Sequence, residues 1–325
     1  MPARGIVLGP RPMEFLVTED CTLLINGMNQ GNYPGGIQFT VHNPAGDYQI
    51  RVISQHDSSI YYDTLYRYDP NNGPADNLMV IPLNNKIIDI SRALKPIIDA
   101  IKYNMVQMDG GEFTMGDHTG NTDEGPEHKV TLHNFQISKY EVTQSQWEAI
   151  MGSNPSNNRK CKDCPVENVS WEEANQFMTR LNNLTGEHYR LPSEAEWEFA
   201  ARGGMLAIRQ TDKFSGSRTL PPVGWFYDNS LGQTHPVGTK AVNALGISDM
   251  SGNVAEWCAD WYDSYYYKAS TYENPTGPDN GRNKVVRGGS WNDYDQSCRV
   301  SYRDKQPANH KDKSIGFRIA KDSFQ

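Results

Sequence analysis

The segment that most constrains the fold is the C-terminal stretch 285–320, which reads VVRGGSWNDYDQSCRVSYRDKQPANHKDKSIGFRIA. It begins with an apolar pair, two glycines and a tryptophan, and it ends in a second apolar run from Ile315 to Ala320. More than twenty mostly polar or charged residues lie between these ends. A long irregular polar segment cannot be buried without leaving backbone groups unpaired. The pattern therefore predicts two strand-like anchors that hold a displayed surface loop.

Composition and charge limit what the chain can bind. Its 325 residues are enough for two domains with a sizeable core. No run approaches the roughly twenty consecutive apolar residues of a membrane-spanning helix, so we expect no membrane insertion. The formal net charge of −8 disfavours a nucleic acid partner, because phosphate binding needs a concentrated basic face. The start, MPARGIVLGPRP, lacks the apolar core of a secretory signal. We expect synthesis in the cytoplasm, and display on a particle or a surface stays open.

Changes of pattern along the chain predict four segments. Up to residue 85, short apolar or alternating stretches of strand length are separated by turn sequences such as Asn26-Gly27. Apolar residues then recur at helical spacing from Ile87 to Ile101. We therefore predict an N-terminal tail (residues 1–12), a small all-β sandwich domain (13–85), a helical connector (86–103) and a larger domain (104–325).

Three helix starts can be identified in the larger domain. Thr143, Ser170 and Ser193 are each followed three residues later by Gln or Glu, which is the pattern of a capping box. Gly203-Gly204 is expected to end the third helix. Short capped helices among many short strands and long loops predict an α+β domain with little regular structure.

The chain has five cysteines, a low and odd number that excludes a disulfide scaffold. Cys161 and Cys164 form a CxxC pair, but neither a second CxxC nor a His pair at finger spacing follows. A local disulfide or two loop thiols is therefore favoured over a zinc site. Cys258 and Cys298 both lie near Trp-rich strands, and whether they pair with each other stays open.

Five motifs in the larger domain carry a resemblance. The sequences PVENVSWEEANQF, YRLPSEAEWEFAARGG, DMSGNVAEWCADWY, VVRGGSW and SIGFRIA occur in this order. They resemble the formylglycine-generating enzyme (sulfatase-modifying factor) family, whose fold is a variant of the C-type lectin fold. The resemblance covers about residues 104–325 and does not reach residues 1–103. It implies a C-type-lectin-like α+β domain whose C-terminal loops form a ligand face.

The resemblance also allows the family's oxidase chemistry to be checked. Active members have a cysteine pair shortly after the GGS motif, which binds copper and converts a substrate cysteine to formylglycine. Soft Cu(I) needs two thiolates, and this segment holds Cys298 alone. Asp293 and Tyr294 stand near the position of the first catalytic thiol. We therefore expect no enzyme activity, and a formylglycine-generating oxidase acting on a protein cysteine is the alternative.

A single calcium site is implied by the same resemblance. The ligand positions fall on the Asp249 side chain, the Gly252 and Val254 carbonyls and the Glu256 carboxylate. Two carboxylates and two carbonyls suit a hard cation with oxygen ligands. The alternative is that Asn253 and Glu256 only hydrogen-bond a tight loop.

The C-terminal block RGGSW…CRVSYR…IGFR is similar in layout to the variable proteins of diversity-generating retroelements. We therefore predict a non-enzymatic protein of receptor or adhesion type that binds a protein or glycan ligand at this face. The predicted ligand residues are Trp291, Asp293, Tyr294, Asp295, Ser297, Tyr302, Asp304, Asn309 and His310. One observation opposes diversification, because mutagenesis of asparagine codons cannot produce Lys or Gln. Template-fixed codons would then be required at Gln296, Lys305, Gln306, Lys311 and Lys313.

Overall fold

The structure is a computed structural model that describes residues 13–17, 21–25, 28–33, 38–41, 46–54, 61–68, 78–81, 86–207 and 211–323. The chain divides into two compact units, Met1–Pro96 and Ile97–Gln325. The predicted tail, residues 1–12, and the predicted turn at Asn26-Gly27 lie outside the described residues. None of the described helices is both long and apolar enough to cross a membrane.

The described elements that precede the first helix of the chain are all strands. They are β1 (Met13–Val17), β2 (Cys21–Ile25), β3 (Met28–Tyr33), β4 (Gln38–Val41), β5 (Gly46–Ser54), β6 (Tyr61–Tyr68) and β7 (Leu78–Ile81). One sheet has the order β4-β1-β7 and the other β3-β2-β5-β6. All pairs are antiparallel except β1 with β7. Helix α1 (Lys86–Tyr103) follows, over the range predicted for the connector, and contains Pro96.

The three predicted helix starts of the second unit are confirmed. They open α2 (Gln144–Met151), α3 (Trp171–Thr185) and α4 (Glu194–Ala201). In each helix the hydroxyl of the capping residue accepts a hydrogen bond from the backbone N–H three residues later, and the Gln or Glu side chain closes the box. Local side-chain chemistry thus fixes where these helices begin.

The strands of the second unit are short. They are β8 (Met105–Met108), β9 (Gly111–Met115), β10 (His128–Leu132), β11 (Phe135–Ser138), β12 (Tyr189–Arg190), β13 (Ala255–Trp261), β14 (Lys284–Arg287), β15 (Arg303–Gln306), β16 (Ile315–Gly316) and β17 (Ala320–Asp322). They form the sheets β12-β17-β11-β8 and β15-β14-β13-β16 and the hairpin β9-β10. With few helices and many long loops, the predicted α+β class with low regular content is confirmed.

The core of the second unit holds two large apolar clusters. In the first, the Trp147 ring stacks on Phe177 with centroids 5.6 Å apart, and Phe317 packs edge-on against both rings. The second gathers around Trp197 and Phe199. Strand β13 contributes to both clusters, through Trp257 in the first and Cys258 in the second, because alternate side chains leave opposite faces of a strand. The sheet that carries the C-terminal loops is thereby anchored in the core.

The predicted anchors of the C-terminal span are present, although the second, predicted over Ile315–Ala320, is divided between β16 and the first residue of β17. Strand β14 precedes the span, and β16 closes it by pairing in parallel with β13, Ala255 opposite Ile315. Gly288 and Gly289 turn the chain out of β14 with φ of 92° and 65°, in the left-handed region. A Cβ on Gly289 would lie 2.7 Å from the Ser297 carbonyl oxygen and 2.8 Å from Cys298 Sγ. The glycine pair therefore lets the loop fold back closely on its own start.

Candidate functional site

The C-terminal loop is joined to a second loop, residues 225–235. The Tyr227 backbone N–H donates to the Asp293 carbonyl at 2.9 Å. The Ser230 hydroxyl donates to the Trp291 carbonyl at 2.8 Å, and the Trp291 N–H donates to the Asn253 carbonyl at 2.9 Å. The loop 291–294 is thus fixed by backbone hydrogen bonds, and the exposed face is built from two separate parts of the sequence.

Two tyrosines stand together on this two-loop surface. The rings of Tyr227 and Tyr294 have centroids 4.8 Å apart, and the residues are 53% and 62% exposed. Leu231, in the same loop as Tyr227, is 88% exposed and has a φ of 56° although it is not glycine. Tyr294 was predicted as a ligand residue. Tyr227 and Leu231 were missed, because no local pattern connects the loop 225–235 with the C-terminal span.

Four predicted ligand residues line one narrow cavity. Asp293, Ser297, Tyr302 and Asp304 surround a space of about 40 Å³ beneath the loop. Asp293 Oδ2 accepts a hydrogen bond of 2.6 Å from the Ser290 hydroxyl. Burial raises the pKa values of both Asp304 and Tyr302. This volume is close to that of one ordered water, so these four side chains do not form a pocket for a larger group.

The other predicted ligand residues are spread along the span. Trp291 is buried, and its indole N–H donates to the Lys313 carbonyl at 3.1 Å. Asp295 is half-buried and lies 3.4 Å from the Lys213 ammonium. Asn309 is exposed and His310 is half-buried, after the end of β15. The nine residues therefore do not meet in one pocket, and Tyr294 is the most exposed aromatic side chain among them.

Buried arginines fix the middle of the span, which the sequence had predicted to be displayed. Arg299 makes two hydrogen bonds of 2.6 and 2.5 Å to the buried Glu124 carboxylate. Arg303 makes two bonds of 2.7 and 2.9 Å to Glu194, at the start of α4. Residues 298–301 are buried, so the prediction of a wholly displayed span is wrong there. Paired arginines hold the loop in a defined shape, which a binding surface needs.

The residues of the predicted calcium site have other partners. Glu256 accepts hydrogen bonds from Arg318 Nε at 2.6 Å, Arg318 Nη2 at 2.7 Å and the Trp197 indole at 2.7 Å, so both carboxylate oxygens are used. Asp249 Oδ2 accepts from the Gly238 N–H at 2.6 Å, whereas its Oδ1 is buried without a partner. Burial raises the pKa of Asp249 to about 6.

The four predicted ligands, Asp249, Gly252, Val254 and Glu256, therefore do not fit a calcium ion as one set. The Arg318 guanidinium already supplies the positive charge that Glu256 needs, and a second cation there would be repelled. The Val254 N–H and the Asn253 amide both donate to the buried Glu141 carboxylate, at 2.9 and 2.7 Å. These hydrogen bonds fit the alternative to a calcium site, in which Asn253 hydrogen-bonds a tight loop. Whether the protein binds one calcium ion is decided by the effect of EDTA on its melting temperature.

The cysteines do not form a pair of free thiols. Cys161 and Cys164 are joined by a disulfide, which favours the local disulfide over zinc. Cys258 and Cys298 are both free, buried and in different apolar clusters, so they do not pair with each other. Burial raises the pKa of both thiols above the ordinary range. Among the described residues of the second unit, no thiolate pair is available for copper.

Three histidines near the start of the second unit each lie beside an oxygen atom of another residue. His133 lies 2.7 Å from Glu273, and His128 contacts the Pro126 carbonyl at 3.1 Å. His118 Nδ1 lies 2.6 Å from Glu127, and this contact raises the pKa of His118. The side chains of Asp117, His118 and Glu127 are close enough to one another to share a metal ion, but those of His118 and Glu127 are exposed. The group is distant in sequence from both surface loops.

Comparison with known proteins gives consistent matches for the second unit. The family described as sulfatase-modifying factor enzyme 1-like domain matches residues 99–323. A chaperone protein, LppX of Paenibacillus barcinonensis, is 30% identical over 271 residues, which cover 68% of this chain and 90% of that protein. The formylglycine-generating enzyme of Streptomyces coelicolor is 30% identical over 286 residues, covering 67% of this chain and 89% of that enzyme.

The chain is also similar to a solved structure and to part of several longer proteins. Treponema denticola variable protein 1 is 30% identical with a TM-score of 0.63, and the match covers 67% of this chain and 95% of that one. The chain also matches chlamydial serine/threonine-protein kinases, of which it spans 38% to 42% of the length.

Proposed function

Since the chain belongs to the sulfatase-modifying factor enzyme 1-like family, we propose that its second unit is a non-enzymatic member that binds a protein ligand with the two-loop surface. The observation that carries the proposal is the exposed pair Tyr227 and Tyr294 on loops fixed by backbone hydrogen bonds. Tyrosine offers a large contact area at a low cost in conformational entropy, and binding energy concentrates in a few such residues.

The thiol chemistry supports binding over catalysis. Copper-dependent oxidation needs two accessible thiolates, and Cys298 is a single buried thiol with a raised pKa. Asp293, near the position of a catalytic thiol in active family members, is hydrogen-bonded to Ser290 instead. The test of the oxidase alternative is incubation with copper and a cysteine-containing peptide, with formylglycine measured by mass spectrometry. We expect none.

The likeness to Treponema denticola variable protein 1 supports the further proposal that the C-terminal span is diversified. Gly288, Gly289 and the buried arginines would keep the backbone constant while exposed side chains change. Sequencing of the surrounding locus tests this. A reverse transcriptase gene and a near-copy of the codons for residues 291–315 that differs at adenines would support diversification, and their absence would contradict it.

Binding is tested with a phage-displayed library of random peptides, because such libraries select for the strongest binding surface of a target. Peptides selected on the wild-type protein should lose at least about 30-fold in affinity for the variant with Tyr227→Ala and Tyr294→Ala, equivalent to about 2 kcal/mol. The matched control is Tyr272→Ala, because Tyr272 is 54% exposed but hydrogen-bonds Glu112.

Equal loss in the Tyr272→Ala variant, or undiminished binding to the double variant, would reject the two-loop surface. A glycan array probed with the same three proteins separates a glycan ligand from a protein ligand. Selective glycan binding that depends on Tyr227 and Tyr294 would keep the surface and change the ligand class.

A further inference from the structure

A separate cavity lies beside the two-loop surface. It has a volume of about 240 Å³, and its walls include Asn158, Glu167, Gln233, Thr234, Trp291 and Lys313. The Asn158 side-chain amide donates to the Thr234 carbonyl at 3.3 Å and to its hydroxyl at 3.2 Å. These bonds tie the turn around residue 158 to the loop 225–235, so the cavity has a fixed wall on that side.

Glu167, which lines this cavity, has a carboxylate oxygen that accepts no hydrogen bond. The residue is 1% exposed, and its Oε1 accepts the backbone N–H groups of Asn157 and Asn158 at 2.5 and 3.0 Å. Its Oε2 is buried and has no hydrogen-bond partner. Burial raises the pKa of Glu167, the two backbone hydrogen bonds oppose this shift, and the charges of Asp312 and Arg159 act in opposite directions with smaller effects. A buried carboxylate oxygen that lacks a donor is costly, so a bound donor, above all a charged one, would stabilise it.

Trp291 forms another wall, and its ring already contacts an ammonium group. Lys313 Nζ lies 5.0 Å from the centroid of the Trp291 ring, within the range of a cation–π interaction. Lys313 is exposed, so its side chain can move away without loss of packing. A cation is favoured over a neutral donor because a charged N–H group makes a stronger hydrogen bond to an ionised carboxylate, and Glu167 Oε2 is a buried oxygen without a partner.

We propose that this cavity binds a primary ammonium group, such as a lysine side chain of the partner protein, with Glu167 Oε2 as its acceptor and the Trp291 ring beside it. Lys313 is then an internal competitor for the ring. This proposal rests on the proposed function and names the chemistry of one contact, because Trp291 belongs to the C-terminal loop. Tyr227 and Tyr294 would supply contact area, and an amine bound in this cavity would make the surface specific for a positively charged partner.

The test follows the indole N–H signals of the ¹⁵N-labelled full chain by NMR, with the Trp291 signal assigned from Trp291→Phe. The probes are N-acetyl-lysine methylamide and the same compound acetylated on its side-chain amine. The free amine should shift the Trp291 signal with a dissociation constant on the order of 1 mM, and the acetylated compound should not. Glu167→Gln keeps an oxygen for the two backbone N–H groups, and we expect it to weaken binding at least about 10-fold.

Two further variants test the competition by Lys313 and provide a control. Lys313→Ala should tighten amine binding, because it removes the competing ammonium from the ring. Glu173→Gln is the matched control, since Glu173 lies in a half-exposed ion pair with Lys311 and should leave amine binding unchanged. If Glu167→Gln does not fold, the two probes on the wild-type protein and the Lys313→Ala variant still decide the question.

Equal shifts with both probes, or binding that is unchanged in folded Glu167→Gln, would overturn the proposal. A Trp291 shift with N-acetylglucosamine and none with the amine would overturn it too, in favour of a sugar. If the amine fails while the selected peptides still depend on Tyr227 and Tyr294, the proposed function stands and the amine site alone is rejected.

Discussion

Arg318 Nε lies 2.6 Å from Glu256 Oε2, and neither side chain has any exposed surface. The guanidinium also donates to the carbonyl oxygens of Ser138 and Ser248, both at 3.0 Å. Arg318 lies between β16 and β17, and Glu256 lies on β13, so one ion pair connects both sheets with the loop around residue 248. Each of the three guanidinium nitrogens donates to an oxygen, and such hydrogen bonds are the condition under which a buried pair is tolerated.

The first prediction concerns the stability that depends on this pair. Arg318→Met removes the charge at similar length and leaves the Glu256 carboxylate buried with the Trp197 indole alone. We expect the free energy of unfolding to fall by about 3–5 kcal/mol, measured by urea denaturation. The matched control is Lys162→Met, which breaks the exposed ion pair with Glu148 and should cost less than about 1 kcal/mol. Equal costs in the two variants would show that the Arg318 pair contributes no more than a surface contact.

The second prediction concerns calcium at the same place. Because Arg318 neutralises Glu256, excess EDTA should leave the melting temperature of the purified protein unchanged. The measurement is a thermal melt with and without EDTA, together with elemental analysis of the untreated protein. A melting temperature that drops by several degrees with EDTA and is restored by calcium would show that an ion binds after all. Asp249 Oδ1, which has no hydrogen-bond partner, would then be a candidate ligand.

Sequence reasoning succeeded where the signal is local. Thr143, Ser170 and Ser193 cap helices because each hydroxyl and its partner side chain lie within one turn of each other, and no distant residue is involved. The apolar ends of the C-terminal span were likewise identified as strands, and they form β14 and β16, which pair with β13 on its two sides. These features depend on spacing that can be read within a few residues.

The remaining features depend on contacts between distant parts of the chain. Arg299 and Arg303 were expected to be displayed with the rest of the polar span, yet each is buried against a carboxylate, Glu124 or Glu194, more than one hundred positions away. A buried arginine and an exposed one look alike in sequence. For the same reason Tyr227 was missed as the neighbour of Tyr294.

The third prediction concerns pH and Asp260. Burial, with the nearby Glu194 and Glu196 carboxylates, raises the pKa of Asp260 from 3.8 to about 8, against the smaller opposing effects of the Glu194 backbone N–H and of Arg303. The folded state therefore holds a proton that the unfolded chain releases, so this contribution to stability is full below about pH 4 and is lost as the pH rises through about 8.

Asp260→Asn removes this dependence and keeps an oxygen for the Glu194 backbone N–H, which donates to Asp260 at 2.8 Å. As the pH rises between these limits, the free energy of unfolding of the variant should increase relative to that of the wild type by roughly 1 kcal/mol per pH unit. Urea denaturation at pH 5, 6, 7 and 8 measures the difference. A constant difference across this range would mean that Asp260 is ionised in the folded protein.

The fourth prediction concerns thiol reactivity. The thiolate is the form of cysteine that attacks iodoacetamide and displaces its iodide, and burial both hides Cys258 and Cys298 and raises their pKa. Mass spectrometry should therefore find neither residue alkylated in the native protein and both alkylated in urea. Cys161 provides the internal control, because it is half-exposed and should react in the folded protein once its disulfide is reduced. Native labelling of Cys298 would show that the C-terminal loop opens.

The last prediction separates binding from folding on the C-terminal loop. Tyr294 and Tyr227 are mostly exposed, so replacing either with Ala should change the free energy of unfolding by less than about 0.5 kcal/mol. Tyr302 is half-buried at the 40 Å³ cavity, with the Arg299 guanidinium 5.8 Å from its ring, so Tyr302→Ala should cost about 1–2 kcal/mol of stability.

Binding of the selected peptides should follow the opposite order, with the largest loss for the Tyr227 and Tyr294 variants. Because these two rings are in contact, a double-mutant cycle should give a coupling energy of about 0.5–1.5 kcal/mol. Isothermal titration calorimetry with one selected peptide measures all four corners of the cycle. If Tyr302→Ala abolishes binding at unchanged stability while both exposed tyrosines are dispensable, the ligand contacts the C-terminal span beside the narrow cavity, and Tyr227 is not part of the surface.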